Sequence, residues 1–250
     1  MSQWSTQQFP FRVTGSVPIP ACTVSYTPIT LSLPVTETTH DGKRWYLYEG
    51  QLYPSISNLI SATDAEGKKS LQEWRKRIGH TAATSITQKA ASRGTRWHKF
   101  CENYITRQTL GWQLFEEPED AAYGAHIATV LNQQLRAVVA SETRVISKHY
   151  GIAGRMDMAV QLNDGRYAIL DFKTGKKQKS GNRLNNYALQ CTFYADALTE
   201  HWSYGIIDTI VIAQLLPDGI VWQETQPALW RESLQSRVAT FAEQVNMVLG

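Results

Sequence analysis

Two aspartates and a lysine are the residues of this chain whose types and spacing most readily suggest chemistry. Asp157 lies in one strand-like segment, and Asp171 and Lys173 share a face of a second, each segment alternating between two faces. Carboxylate oxygens suit Mg²⁺ or Mn²⁺, and a metal beside a lysine can activate water and stabilise charge developing on a phosphate. The pattern therefore indicates metal-assisted phosphodiester hydrolysis. A surface salt bridge on a solvated sheet face is the alternative at this point.

The relative position of the two aspartates depends on how the two segments pair. Asn163-Asp164-Gly165 is expected to form a short hairpin loop with its glycine in the left-handed conformation. The even-numbered residues of the first strand then form a continuous apolar face, with Met156 opposite Phe172, and Asp157 lies directly opposite Asp171. Like charges on paired residues, with Cβ atoms about 4.5–5.5 Å apart, repel each other. We therefore expect a shared proton, a neighbouring cation or a bound metal at this pair.

The rest of the chain predicts an α/β fold with one mixed, partly antiparallel sheet flanked by helices. Residues 1–50 are expected to form a β-rich N-terminal extension packed on the core, and residues 51–250 the main domain. Helices are predicted at about 56–60, 71–82, 86–107, 119–140, 183–199 and 227–248, and strands in a hairpin across Asp41-Gly42, at about 145–175 and in a hairpin across Pro217-Asp218-Gly219.

Composition and charge exclude several classes of protein. The net charge of +3 is small, so contact with nucleic acid would need a local basic groove. The three cysteines form no CxxC pair, which argues against a zinc ribbon and against a four-cysteine iron–sulfur cluster. The chain has no GxxxxGK[ST] loop, so we expect no nucleotide cofactor.

The sequence also predicts the cellular compartment of the protein. It has no apolar run of about 18 residues and no secretion signal, so we expect no membrane partner. A cytoplasmic location, in a bacterial or phage-infected cell, follows from this. The first 36 residues contain no acid and many Ser and Thr, which leaves a mitochondrial location as the alternative.

Four ordered motifs resemble those of PD-(D/E)XK nucleases, in the RecB-like and Cas4-like branch that includes the mitochondrial genome maintenance exonucleases. Gly154-Arg155-Met156-Asp157 is similar to motif II, and Ile169-Leu170-Asp171-Phe172-Lys173-Thr174-Gly175 to motif III. Arg93-Gly94-Thr95-Arg96-Trp97-His98 resembles the family's helical motif, and Gln190-Cys191-Thr192-Phe193-Tyr194 its Q-x-x-x-Y motif. The pattern is closest to the mitochondrial exonuclease type without an iron–sulfur cluster, over about residues 50–200.

The resemblance implies a restriction-endonuclease-like core for residues 51–250 and a role for each motif residue. It implies Mg²⁺ or Mn²⁺ bound by His98, Asp157, Asp171 and the Phe172 carbonyl, with Lys173 as a catalytic residue. Gln190 and Tyr194 would line the site and place the substrate, whereas Glu102 would either orient the His98 imidazole or be a solvated helix residue. Candidate phosphate contacts are Arg93, Arg96, Arg155, Lys176 and Lys177.

The implied function is that of a metal-dependent DNA exonuclease acting on single strands or DNA ends. Replication, repair or recombination is the expected setting, with proteins of those processes as partners, and a phage origin is compatible with it. One alternative is a non-catalytic nucleic-acid-binding protein that retains the fold. Another is an unrelated α/β protein, such as a small-molecule hydrolase, with a coincidental D-x-K strand.

Overall fold

The computed structural model describes residues 3–12, 18–29, 33–107, 118–202 and 205–249. The strands in these ranges are β1 (Ser5–Pro10), β2 (Ser25–Tyr26), β3 (Thr36–His40), β4 (Lys43–Tyr48), β5 (Gln51–Pro54), β6 (Leu135–Ser147), β7 (Ile152–Leu162), β8 (Tyr167–Thr174), β9 (Ile207–Leu216) and β10 (Gly219–Thr225). They form a central seven-stranded sheet in the order β1-β10-β9-β8-β7-β6-β2 and a second sheet in the order β3-β4-β5. The central sheet is mixed, since β8 pairs with β9, and β2 with β6, in parallel while its other neighbours are antiparallel.

Helices cover both faces of the central sheet, as predicted. They are α1 (Ile56–Thr63), α2 (Ala65–Ile78), α3 (His80–Thr106), α4 (Pro118–Gln134), α5 (Gly181–Thr199) and α6 (Arg231–Leu249), the last preceded by a 3₁₀ turn at Pro227–Leu229. One buried cluster joins α1, α5 and α6 to the sheet, and a second joins α3 and α4 to it. Alternate residues of β9 enter the two clusters, Ile210 the first and Val211 the second, so the clusters lie on opposite faces.

The predicted helix over residues 119–140 is wrong in its last part. Helix α4 ends at Gln134 and β6 begins at Leu135. Both faces of this part of β6 are buried, with Val138 in one cluster and Val139 in the other. A strand that is apolar on both faces has no alternation in its sequence, so periodicity alone does not separate it from a buried helix.

The first fifty residues contribute to both sheets. β1 forms one edge of the central sheet against β10, and β2 pairs with β6 at the other edge. The second sheet extends past residue 50, because β4 pairs with β5. The boundary between an extension and a main domain at residue 50 stays a prediction. No helix among the described residues has the length and apolar character needed to cross a membrane.

Candidate active site

Strands β7 and β8 pair as predicted at first and then separate. Met158 lies opposite Leu170 in the ladder, but the pairing ends there. The predicted direct pair of Asp157 with Asp171 is therefore wrong as a ladder pair. In the regular ladder the backbone N–H of Phe172 would face a carbonyl of β7, whereas here it donates to Asp157 Oδ2 at 2.9 Å. The aspartate side chain thus replaces a backbone bond at the point where the strands part.

The continuous apolar face predicted for β7 is interrupted at the same point. Met156 packs in the cluster on the α5 side together with Ala159, whereas Met158 and Phe172 pack in the cluster on the α3 side. Met156 is therefore not opposite Phe172, and the prediction of one unbroken face is wrong. Residues two apart share a face only in a regular strand, and the alternation breaks at Asp157.

Helix α3 brings His98 to Asp157. Gly94 lies where the helix passes close to β8, since a Cβ on it would be 3.3 Å from Thr174 Oγ1, a tight contact. His98 is one helical turn further on, and its Nδ1 lies 3.2 Å from Asp157 Oδ2. Burial alone would lower the pKa of His98, but the bond to Asp157 and its charge outweigh burial and raise it. Burial alone would likewise raise the pKa of Asp157, and His98 and Lys173 lower it.

Asp171 and Lys173 form a second, deeper ion pair. The Asp171 side chain is 2 % exposed, and its Oδ2 lies 2.5 Å from Lys173 Nζ. Burial, together with the charge of Asp157, raises the pKa of Asp171 to about 6 despite the lysine. The two carboxylates raise the pKa of Lys173, although burial opposes this, so the lysine stays protonated. Its ammonium also lies 4.9 Å from the centre of the Tyr187 ring, a cation–π distance.

Helix α5 places Gln190 and Tyr194 one turn apart on the same cleft. Gln190 Nε2 donates to Tyr194 Oη at 2.9 Å, and the Tyr194 ring is buried. The ring packs against Gly154 of β7, where an added Cβ would lie 2.7 Å from Tyr194 Cε1 and 3.1 Å from Ile56 Cγ2. Glycine at this position is therefore a packing requirement for the position of Tyr194.

We expect the Gly154→Ala variant to lose about 1–3 kcal/mol of unfolding free energy, because its methyl group overpacks this contact. Tyr194 would be displaced, so activity should fall as well. Urea unfolding at pH 7 measures the first effect. A Gly154→Ala/Tyr194→Ala double variant should be destabilised by less than the sum of the two single changes, since the shortest of the overpacked contacts, that with Tyr194, is then absent. Additive losses would contradict this explanation of the glycine.

These side chains line one open cleft of about 490 Å³, together with five residues to which the motifs had assigned no role. Helix α3 contributes two of the five and β6 one, Glu142. The small sheet contributes Arg44, which pairs with Glu37. No sequence signal marks Arg44, but Glu142 follows from the pairing of β6 with β7 once β6 is recognised as a strand. The five are Arg44, Ser57, Thr95, Lys99 and Glu142.

Glu102 lines the cleft, where its carboxylate has a lysine of the same helix as its partner. Its Oε2 accepts a hydrogen bond from Lys99 Nζ at 2.9 Å, one turn back on the same helix. The imidazole is held by Asp157 instead. In this arrangement the Glu102 carboxylate pairs with Lys99 rather than with His98, and an orienting role for Glu102 stays a prediction.

The predicted phosphate contacts occupy three places. Arg155 lines the cleft that holds Asp157 and Asp171. Arg93 and Arg96 line a neighbouring cleft of about 250 Å³, where Arg96 Nη1 lies 3.1 Å from Asp120 Oδ2. Lys176 and Lys177 are exposed on the segment after β8 and line a third cleft. The structure therefore brings one of the five into the cleft of the two aspartates and places the other four in two separate clefts.

The donor chemistry of the site fits a hard divalent cation. The two carboxylates and His98 are suitable ligands, and buried Asp171 Oδ2 accepts no well-aligned hydrogen bond from any described residue. In the present side-chain positions Asp157 is held by His98 and Asp171 by Lys173. Accordingly, among the residues that the structure describes, no three His, Cys, Asp or Glu side chains stand ready to hold a metal ion. Cys22, Cys101 and Cys191 are free thiols, the last two buried.

A family model described as PD-(D/E)XK nuclease superfamily matches residues 69–245. No curated protein sequence matches the chain. The chain is similar to a solved structure described as "Crystal structure of SSO0001", with a TM-score of 0.40 and 14% identity over 78% of this chain and 75% of that one.

Proposed function

The chain belongs to the PD-(D/E)XK nuclease superfamily, whose model covers well over half of its length, and from this premise we propose that it is a metal-dependent DNA exonuclease. The superfamily implies a nuclease with DNA as substrate, and its members generally use divalent metals such as Mg²⁺ or Mn²⁺. The observation that carries the proposal is the meeting of Asp157, Asp171 and Lys173 in an open cleft where β7 and β8 separate.

Each residue of the cleft has a role in this proposal. His98, Asp157, Asp171 and the Phe172 carbonyl would hold the metal. When bound, it would polarise the phosphate and make the attacking water more acidic. Lys173 is held protonated by two carboxylates, so it can orient the attacking water or stabilise negative charge on the phosphate. Gln190 and Tyr194 would line the cleft and help to position the DNA strand.

The motif pattern supports the proposed branch, the type of nuclease and its biological process. The basic residues in and near the cleft support the proposed contacts with DNA. The four motifs favour the RecB-like branch and, within it, an exonuclease of single strands or duplex ends in replication, repair or recombination. Proteins of those processes are the expected partners, and the cytoplasm is the expected compartment. Arg93, Arg155, Lys176 and Lys177 are proposed to contact backbone phosphates, and Arg96 less so because Asp120 engages it.

The test is digestion of four DNA substrates, circular and linear, single- and double-stranded, with each linear end labelled separately. We expect linear single strands to be degraded from an end in the presence of Mg²⁺ or Mn²⁺. Circular DNA should persist, and a chelator should stop the reaction. Cleavage of circles would identify an endonuclease. Metal-independent DNA binding without cleavage of any substrate would instead identify a non-catalytic nucleic-acid-binding protein.

A further inference from the structure

Glu142 has an unusual backbone conformation for a strand residue. Its φ is 48°, in the left-handed region that residues with a Cβ rarely adopt. The other non-glycine residues with positive φ in the described ranges lie in turns or at a helix end, namely Asp41, Glu49 and Arg107. Glu142 alone among them lies inside a strand, β6. Strain of this kind persists where the surrounding structure holds it, and it is concentrated at functional sites.

This strained residue lies beside the candidate catalytic aspartates. Its neighbours Ser141 and Thr143 pair with the residues on either side of Asp157, so Glu142 lies across the strands from Asp157. The two residues themselves do not pair, and the positive φ of Glu142 lies at this gap in the ladder. Thr143 Oγ1 donates to the Ser141 carbonyl at 3.1 Å, so the residues on either side of Glu142 are joined by a hydrogen bond. The Glu142 carboxylate then lines the same cleft as Asp157.

Arg155 is the partner of this carboxylate. Its Nε lies 3.1 Å from Glu142 Oε2, and both residues line the cleft. A guanidinium has five N–H groups in a rigid planar fork, so engagement at Nε leaves the two terminal nitrogens for a second ligand. These two nitrogens match a phosphate group, which arginine binds through two parallel hydrogen bonds. Burial and the charge of Asp157 raise the pKa of Glu142, and the charge of Arg155 opposes this rise.

We propose that Glu142 is a positioning residue that holds Arg155 by Nε and directs its terminal nitrogens at a backbone phosphate adjoining the one that is cleaved. This inference rests on the proposed function, because it takes DNA as the ligand. It adds a residue of β6 to a site that the motifs confine to α3, β7, β8 and α5. Glu142 acts through the arginine, so it should affect strand binding more than the chemical step.

The experiment compares Glu142→Gln, Arg155→Gln and the double variant with the wild type. Two quantities are measured: KM and kcat for a linear single strand, and the Kd for the same strand without metal by fluorescence anisotropy. Each single change should raise KM and Kd by about tenfold, equivalent to loss of one charge-assisted contact. The kcat should change by less than about threefold. The double variant should bind no more weakly than Arg155→Gln alone, because both changes remove the same contact.

Two further variants serve as controls, one for folding at residue 142 and one for the loss of an acidic charge. Glu142→Asn tolerates the left-handed backbone, so it should fold normally and still bind DNA as weakly as Glu142→Gln. Glu243→Gln, an exposed acid-to-amide change on α6, should match the wild type. Unchanged KM and Kd in Glu142→Gln, additive losses in the double variant, or a raised Mg²⁺ requirement would each overturn the proposal. A wild type that cleaves nothing refutes the nuclease assignment separately, since the metal-free Kd still reports on the Glu142 and Arg155 pair.

Discussion

The Asp171→Asn variant is expected to cleave DNA at least about 10³-fold more slowly than the wild type while still binding it. Asparagine preserves the volume of this buried side chain but removes the charge that a divalent metal requires. Metal stabilisation of the transition state is worth several kcal/mol, and each 1.36 kcal/mol corresponds to a factor of ten in rate. Single-turnover cleavage of end-labelled single strands at saturating Mg²⁺ measures the effect.

Asp164→Asn is the matched control for this substitution. Asp164 lies in the exposed loop between β7 and β8, where its carboxylate pairs with Arg166 away from the cleft. The same chemical change there should leave the cleavage rate within about twofold of the wild type, since surface substitutions have small effects. Asp171→Asn cleavage above a tenth of the wild-type rate would show that Asp171 does not hold the metal. A parallel loss of DNA binding would indicate misfolding of the cleft instead.

The Lys173→Met variant is expected to lose about 3–5 kcal/mol of unfolding free energy in addition to its cleavage activity. Methionine replaces the lysine stem but leaves the buried Asp171 carboxylate without the ammonium that lies 2.5 Å from it. An uncompensated buried charge has a cost of about this size, whereas replacing both partners of a buried pair is often neutral. The double variant Asp171→Asn/Lys173→Met should therefore recover most of the lost stability without recovering activity. Denaturant unfolding at pH 7 gives both values.

Lys177→Met provides the comparison for the stability measurement. Lys177 is exposed on the segment after β8, so loss of its charge should change the unfolding free energy by less than about 0.5 kcal/mol. If Lys173→Met is no less stable than Lys177→Met, the ion pair with Asp171 contributes nothing to the fold. If the double variant is as unstable as Lys173→Met, packing of the lysine stem, rather than its charge, accounts for the loss.

In the hairpin of β7 and β8, the register could be predicted from the sequence, but the end of the pairing could not. Alternating residues and the Asn163-Asp164-Gly165 loop predicted the register, and Met158 does lie opposite Leu170. They did not predict that the ladder ends one pair before Asp157. A side chain that replaces a backbone bond, as Asp157 does at the Phe172 N–H, leaves no mark in the hydrophobic pattern. The sequence therefore predicts regular pairing along the whole hairpin, and the pairing is lost at the candidate active site.

The segment after α4 is a second place where the sequence did not predict the structure. Leu135 and the residues after it are apolar on both sides of β6, and such a run is read as readily as a helix as a strand. The error concealed Glu142, because a residue assigned near a helix end cannot be placed opposite Asp157. Arg44 was hidden for a different reason. It reaches the cleft from a separate sheet, and packing between sheets depends on the whole fold.

The sequence by itself determined the family, the mixed sheet flanked by helices, and the candidate metal and lysine chemistry at Asp157, Asp171 and Lys173. The four ordered motifs identify the family, and local spacing carries the rest, because side chains two apart on a strand or four apart on a helix share a face. Only the tertiary structure decided that β7 and β8 part at Asp157 and that Glu142 lies across from it with Arg155. These contacts join residues distant in the chain, and their geometry follows from how strands and helices pack.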